Sequence, residues 1–426
     1  MKRVLLISVN REMNPPVFPL GMSYIHSSLR HAGYESGMLD LVHVPFEQAA
    51  IHGYLAEFAP DYVGLSVRNL DNCCMQRPRS YVELVRTVAD WVRGWNPAVP
   101  IILGGAGFSL LPVSWMEASG GDYGIAGDGC ESMVQLLRAL DAGESPRAVP
   151  GLVFREQGRW QANPTDLSAQ LDKPYLPERS GFVHPLDGER RVRHNVLTKR
   201  GCAFACTYCA YPNLEGREVR ARSPQHIGEE LARLSAVEGI REFDFVDSVF
   251  NFPLDHAEAV CQEILDRELD LAWGCFLHPL FFTASFASLL KRAGCVSVEF
   301  GVDSGSDRCL KSLRKQFGAD DIRRAVELCR EQELPFSVCL LFGGPDETLE
   351  TVAETLALMD RLEIGEVFGL FGIRLLPNTE INDLYGESDP VRLLAPSFYL
   401  PEGLDLQEAL ALCGSYRERH PGWFFV

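Results

Sequence analysis

The chain has 426 residues, 58 of them acidic and 40 basic, for a formal net charge of −18. A balance this acidic argues against a general polyanion binder, because nucleic acid demands a basic face. The length allows two or three domains with substantial cores, and no uninterrupted apolar run approaches the roughly 20 residues that a membrane helix requires. The expected setting is therefore cytoplasmic, with neither a nucleic-acid nor a membrane partner.

In chain order, "MKRVLLISVN" places two basic residues ahead of the short apolar run Val4 to Val9, with polar residues following at once. That is too short for a secretory signal and reads as a first strand buried on both faces. "PLGMSYIHSSLRHAGYE" reads as a helix ended by Gly33, "YVGLSV" as a second strand and "SYVELVRTVADWVRGW" as a helix. "PIILGG" and "YGIAG" follow as strands, and "GCESMVQLLRALDAG" as a closing helix. Strands separated by helices imply right-handed crossovers, so residues 1–140 are expected to form a doubly wound, Rossmann-like α/β domain. No G-x-G-x-x-G follows the first strand, which runs into "NREMNPPV", so the dinucleotide fingerprint is missing. "GGAGFS" is glycine-rich but falls at the third strand without the phosphate-binding pattern. Residues 141–190, rich in Pro and Gly, read as a connector holding one hairpin, "GLVFREQGRWQAN", with a Gln-Gly turn.

From 191 to 385 the alternation resumes. "HNVLTKRGC", "EFDFVD", "LAWGCFL", "SVEFGVDSG", "FSVCLLFGG" and "VFGLFGIRLLP" read as strands, with helices such as "PQHIGEELARLSAVEG" and "DDIRRAVELCREQE" between them. Six βα units are too few for a closed eight-unit barrel and predict an open, partial (β/α)6 TIM-type barrel. Polar or glycine-rich residues gather at the C-terminal strand ends: Asp247, His278, Asp303 with Ser304, Gly343 with Gly344, and Arg374. Parallel α/β architectures build their sites there. Residues 386–426 read as a short C-terminal extension, a helix and an aromatic end that cap the domain.

Thirteen cysteines, an odd number, do not suggest a disulfide framework in such a chain. Cys261 and Cys329 complete apolar helical stripes and Cys339 lies within an apolar strand, so all three read as small buried hydrophobes. Cys202, Cys206 and Cys209 differ. They fall within eight residues of "TKRGCAFACTYCAYP", spaced C-x3-C-x2-C. Structural zinc prefers four protein ligands, commonly from two separated pairs, and no second C-x-x-C pair exists. Iron–sulfur clusters usually take four thiolates, so three would leave one iron open.

The spacing, and its position after a strand at the start of a partial barrel, resembles the signature of the radical S-adenosylmethionine (SAM) superfamily. "REVRARSP", "VEFGVDSGS" and "LFGGPDET" resemble successive segments of the members that carry an N-terminal cobalamin-binding domain. "FPLGMSYIHSSLRHAGYESGMLD", "ILGGAGFS" and "GIAGDGCES" resemble parts of that domain. The resemblance implies a [4Fe–4S] cluster on Cys202, Cys206 and Cys209, with SAM on the open iron. It places Phe204 and Tyr208 beside the cluster and adenine, Asp247 at the SAM amino group, Asp303 and Ser304 near the ribose or methionine, and Gly343 and Gly344 near adenine. Asp303 also suits a helix N-terminal acid, and Gly343-Gly344 a tight βα turn.

For cobalamin, the resemblance points to loops after the N-terminal strands: Asn10 and Arg11, Ser66 to Asn69 with Arg68 and Asn69 foremost, and Gly104, Gly105 and the residues up to Phe108. The cobalt-ligating D-x-H-x-x-G is absent. Asp40 and His43 are spaced D-x-x-H without the glycine, and His43 reads as a loop histidine. Cys73 and Cys74 suit either packing or a cofactor face. His278, Glu299 and Arg374 are candidate substrate-facing groups, Arg374 either clamping an anion or pairing structurally.

The implied activity is reductive cleavage of SAM to a 5′-deoxyadenosyl radical that abstracts hydrogen, followed by methyl transfer from methylcobalamin to an unactivated carbon. Cyclisation or rearrangement without methyl transfer is the alternative within the enzyme class, and a non-catalytic iron–sulfur or corrinoid sensor the alternative outside it. The expected partners are a small-molecule or peptide substrate and a reductant such as flavodoxin or ferredoxin, and the protein is expected to be a monomer.

Overall fold

The computed structural model describes residues 1–12, 16–184, 192–386 and 389–426. The chain divides into two compact units. The first holds Met1–Asn72, Ser80–Arg193 and Asp389–Ala395; the second holds the rest of the described chain, including Cys73–Arg79 and Pro396–Val426.

The first unit is built on β1 (Arg3–Ser8), β2 (Glu35–Asp40), β3 (Tyr62–Ser66), β4 (Ile101–Gly104), β5 (Tyr123–Ile125), β6 (Leu152–Glu156) and β7 (Arg159–Ala162). Their order is β2-β1-β3-β4-β5-β6-β7, with β1 to β5 parallel and the last two antiparallel. The continuous apolar run of β1 explains its central place, since Val4, Leu5, Leu6 and Ile7 are all buried beneath helices on both faces. Strand β2 was not evident from the sequence. "ESGMLD" has no β-branched residue, and only pairing along the whole of β1, from Arg3↔Glu35 to Ser8↔Asp40, defines it. The expected hairpin is present, turning at Gln157 and Gly158 with φ of +49° and +82°, the pair of positive values a tight two-residue hairpin turn requires. That hairpin continues the first sheet, so the segment read as a connector is part of this unit. Strand β5 pairs with β6, and the boundary moves to Arg193.

The second unit contains β8 (Asn195–Val196), β9 (Lys199–Arg200), β10 (Arg220–Ala221), β11 (Glu242–Phe245), β12 (Ala272–Leu277), β13 (Cys295–Asp303), β14 (Phe336–Phe342), β15 (Val367–Phe371), β16 (Ile373–Arg374), β17 (Phe398–Tyr399) and β18 (Trp423–Phe425). Its main sheet runs β18-β15-β14-β13-β12-β11-β8, parallel throughout. The six expected strands are all present. The tail adds a seventh, because β18 pairs with β15 through Val367↔Trp423 to Gly369↔Phe425. The end of the extension is therefore part of the barrel wall rather than a cap. Trp423 anchors it: fully buried, stacked on His420 with ring centroids 4.2 Å apart, and donating its indole N–H to the Ile364 carbonyl at 2.8 Å.

One face of this sheet packs against the helices through Phe243, Phe245, Trp273, Val298, Phe300, Val338 and Phe342. Alternate residues, among them Phe276, Glu299, Gly301, Cys339 and Phe368, take the other face, where Phe276 and Phe368 remain 37% and 44% exposed. Cys261 and Cys329 are buried in the helix-side core as expected. Cys339 is not the buried hydrophobe expected of it: half-buried on the concave face, it donates its thiol to Glu299 Oε1 at 3.2 Å.

Candidate active site

The cysteine loop leaves β9 and returns through β10, which pairs antiparallel with it through Lys199↔Ala221 and Arg200↔Arg220. A two-residue ladder closes its base. At the entry Gly201 has φ +92°, and a Cβ there would lie 2.1 Å from the Glu218 carbonyl, so only glycine fits. Cys202 N–H donates to the Gly216 carbonyl and Cys209 N–H to the Cys206 carbonyl, each at 3.1 Å. The far side is held by Thr207, whose N–H donates to the Leu313 carbonyl and whose carbonyl accepts from Ile381 N–H.

All three cysteines are half-buried free thiols. Burial pushes each thiol upward, Cys209 to about 12; Cys202 adds to the rise at Cys206, and both add to it at Cys209, while the Lys315 charge opposes the rise at all three. Buried, mutually repelling sulfurs gain from a cationic metal core that compensates both effects, which is the donor chemistry of an iron–sulfur site. Among the described residues no three His, Cys, Asp or Glu side chains converge closely enough to hold a single metal ion. Three thiols on one short loop are the donor set that a [4Fe–4S] group with one open iron would take, held by Cys202, Cys206 and Cys209.

Around the loop, the structure gathers several of the residues singled out from the sequence. Phe204 is buried and stacks on His278, with centroids 4.7 Å apart and planes at 17°. His278 stands just beyond β12, accepts the Leu280 N–H on Nδ1, and meets Phe317 edge-on. Burial pushes its pKa down to about 4, and Lys315 adds to the depression, so the ring is neutral at physiological pH. The unfolded chain takes up this proton near pH 6.5 and the fold resists it down to about 4. The stability it contributes is therefore full above 6.5 and declines as the pH falls through that window. His26 in the first unit, lowered to about 4 chiefly by burial, acts in the same sense. Thermal unfolding of the apoprotein followed by circular dichroism is expected to show a loss of about 2 kcal/mol per histidine on going from neutral pH to about pH 5, and His278→Gln should flatten that slope.

Tyr208, between the second and third cysteines, donates its hydroxyl to Asp303 Oδ2. Lys315 Nζ reaches the same oxygen at 2.8 Å and the Gly301 carbonyl at 2.9 Å. Asp303 is thus tied to the cysteine loop by its side chain. Ser304 is fully buried and bonded to Thr355 Oγ1 at 3.1 Å, which gives it a structural role against the helix Leu349–Arg361. Asp247 lies buried beyond β11, where its carboxylate accepts from Thr198 N–H at 2.7 Å, Lys199 N–H at 3.1 Å and Lys199 Nζ at 3.0 Å. The ligand expected there from the sequence meets an ion pair already formed.

Gly343, with φ +99°, and Gly344 make a tight turn packed against Leu400, Gly372 and Leu313. Glu299 faces Cys339 on the concave side of the sheet. Arg374 is buried in β16 and donates to the carbonyls of Leu375 at 2.5 Å and Ser397 at 3.3 Å, which ties β16 to the segment leading into β17. Lys199 and Lys315 escaped the sequence reading. "TKRGC" and "LRKQFG" carry no signal that separates them from surface lysines, and only the fold buries them beside carboxylates.

In the first unit the strand order 2-1-3-4-5 reverses direction between β1 and β3, the switch point at which doubly wound sheets bind ligands. Asn10 and Arg11 follow β1; the exposed Arg68 and Asn69 follow β3; Gly104 ends β4. Gly105, at φ +106°, allows its loop to press on the β3 loop: a Cβ there would stand 2.4 Å from the Val67 carbonyl. The β3 and β4 loops thus pack closely at the switch-point end of the sheet, the place where a doubly wound fold takes its ligand. Phe108 does not line it, being fully buried. His43 is buried in the turn after β2, its N–H on the Asp40 carbonyl at 3.0 Å, as a loop histidine should be. Cys73 and Cys74 belong to the second unit, where their neighbour Met75 lies against Gly372.

A doubly wound domain with its switch point between β1 and β3, and a partial barrel whose first loop carries C-x3-C-x2-C, are the two parts expected of a corrinoid-binding radical enzyme. The B12 binding domain model matches residues 8–137 and the Radical SAM superfamily model residues 196–359, and the chain belongs to that superfamily. It is similar to the tryptophan 2-C-methyltransferase of Streptomyces laurentii, 28% identical over 88% of this chain and 73% of that one. An uncharacterized methyltransferase of Pyrococcus horikoshii is 27% identical over 81% of this chain and 74% of its own length. Among solved structures, the radical SAM methyltransferase TsrM of Kitasatospora setae, with cobalamin and a [4Fe–4S] cluster bound, superposes with a TM-score of 0.90 at 25% identity, covering 100% of this chain and 93% of that one. The chain is a radical SAM enzyme homologous to cobalamin-dependent methyltransferases, and its cofactors are the cluster, SAM and cobalamin. Among the described residues no helix is long and apolar enough to cross a membrane.

Proposed function

We propose that this protein transfers a methyl group to an unactivated carbon of a small molecule, using SAM and cobalamin. The observation that carries the reading is the pairing in one chain of the three-cysteine loop with a domain that matches the B12 binding model, in a chain similar over most of its length to methyltransferases. Bound, the cluster and SAM supply one-electron chemistry and the corrinoid a transferable methyl group. The protein's part is to position and shield. The ladder of β9 and β10 fixes the loop, Phe204 and His278 wall one side of it with stacked rings, and the concave face of the sheet offers Phe276, Phe368 and Glu299 toward a substrate. An aromatic amino acid such as tryptophan, the substrate of the Streptomyces relative by name, suits exposed phenyl rings beside a carboxylate. Free cysteines throughout fit a reducing, cytoplasmic setting with a flavodoxin- or ferredoxin-type reductant and a monomeric enzyme.

The test is an anaerobic assay of the cluster-loaded protein with hydroxocobalamin, a reductant and SAM carrying an isotopically labelled methyl group, run against a panel of aromatic amino acids. Label should appear on a substrate carbon. Steady formation of 5′-deoxyadenosine, with the label recovered only in methionine and the substrate altered in its ring or chain, would replace this reading with a rearrangement enzyme.

A further inference from the structure

Lys315 and Asp303 lie outside the C-x3-C-x2-C motif, yet both reach it. Tyr208 stands between two of the cluster cysteines and its hydroxyl is bonded to Asp303 Oδ2. The same oxygen holds Lys315 Nζ at 2.8 Å, and both charged side chains are only 9% exposed. Lys315 Nζ also lies over the Phe317 ring at 5.5 Å and donates to the Gly301 carbonyl at 2.9 Å, so the ammonium is held by three partners. Asp303 itself is strained. It has φ +67° where the pairing of β13 with β14 slips register between Gly301 and Asp303. A non-glycine residue held in the left-handed region at the end of a strand marks a place where position is worth backbone strain.

A buried carboxylate and a buried ammonium beside the same loop have opposite effects on a group that gains an electron. The ammonium stabilises the reduced, more negative cluster and the carboxylate opposes it, and burial strengthens both because little solvent screens them. Together they nearly cancel.

We propose that Lys315, Asp303 and Tyr208 form a charge-compensated clamp on the cysteine loop, and that its balance sets the reduction potential of the cluster. The three are positioning residues: the hydroxyl bond transmits the position of the ion pair to the backbone between Cys206 and Cys209. This inference rests on the assignment of the cluster to the three cysteines, which the iron content of the wild-type protein tests separately.

The experiment is a redox titration of the reconstituted proteins, following the reduced cluster by electron paramagnetic resonance. Lys315→Met leaves Asp303 unbalanced, and at the wild-type midpoint the ratio of reduced to oxidised cluster should fall about tenfold, which is about 59 mV for a one-electron couple. Asp303→Asn keeps a residue that tolerates the left-handed backbone and leaves Lys315 unbalanced, so the ratio should rise about tenfold. Lys315→Arg should stay within about twofold of the wild type, because it keeps the charge. Opposite displacements in the first two variants are a signature that a merely structural role does not produce. Full iron loading with both potentials unmoved, or moved in the same direction, would overturn the proposal. So would loss of the cluster from both variants with the fold intact, since the pair would then be scaffold alone.

Discussion

Cys206→Ala is expected to abolish the cluster. After anaerobic reconstitution with iron and sulfide, the broad visible absorption of the wild-type protein should be absent from the variant, and reductive cleavage of SAM should fall to the background without enzyme. The reason lies in the loop. Its three sulfurs are the ligands proposed for the cluster, and the backbone that presents them is closed at the base by β9 and β10 and held at Thr207 from two sides. Cys261, Cys275, Cys295 and Cys329 are buried in the helix-side core and are not placed to substitute. The apoprotein itself should be nearly unaffected, within about 1 kcal/mol, since the change removes one half-buried sulfur from a loop whose backbone hydrogen bonds it leaves in place. Retention of a full cluster in the variant would remove Cys206 from the ligand set.

Lys199→Met is expected to be the most destabilising single change near the site, costing about 3–5 kcal/mol in urea unfolding of the apoprotein. Lys199 and Asp247 are almost completely buried, 3.0 Å apart. The lysine also donates to the Phe250 carbonyl at 2.9 Å and to Thr198 Oγ1 at 3.1 Å, and it lies over the Phe250 ring. Removing the ammonium strands a carboxylate in the core of the barrel. Neutralising both, in Lys199→Met with Asp247→Asn, should recover most of the loss, because a pair of neutral groups has no uncompensated charge to bury. The double variant also separates two roles for Asp247. If it carries the SAM amino group, SAM affinity stays low when stability returns; if it acts through the ion pair, both recover together.

The parts of this protein that were legible in its sequence are those written in local pattern. The apolar run of Val4 to Ile7, the amphipathic repeat from Val82 to Trp95 and the strand–helix alternation after residue 190 gave the two α/β units, because periodicity reports directly which face of an element is buried. The cysteine triplet was legible for a related reason: three metal-binding thiols on one short loop are a local constellation, and sequence neighbours stay spatial neighbours. Strand β2 was not legible, since its buried face depends on β1 and not on its own residues. Nor was the tail, where "WFF" reads equally as a cap and as a seventh strand until β15 presents an unpaired edge.

Charge partners were the least legible of all. By itself the sequence determined the fold class and the presence of a three-cysteine loop of the kind that holds a cluster. Only the tertiary structure decided that Asp247 belongs to Lys199, Asp303 to Tyr208 and Lys315, Ser304 to Thr355, and Arg374 to two backbone carbonyls. The physical reason is that a polar side chain's role is set by what else is buried with it. Those partners come from segments as much as 95 residues apart, as Tyr208 and Asp303 are, which no local pattern joins.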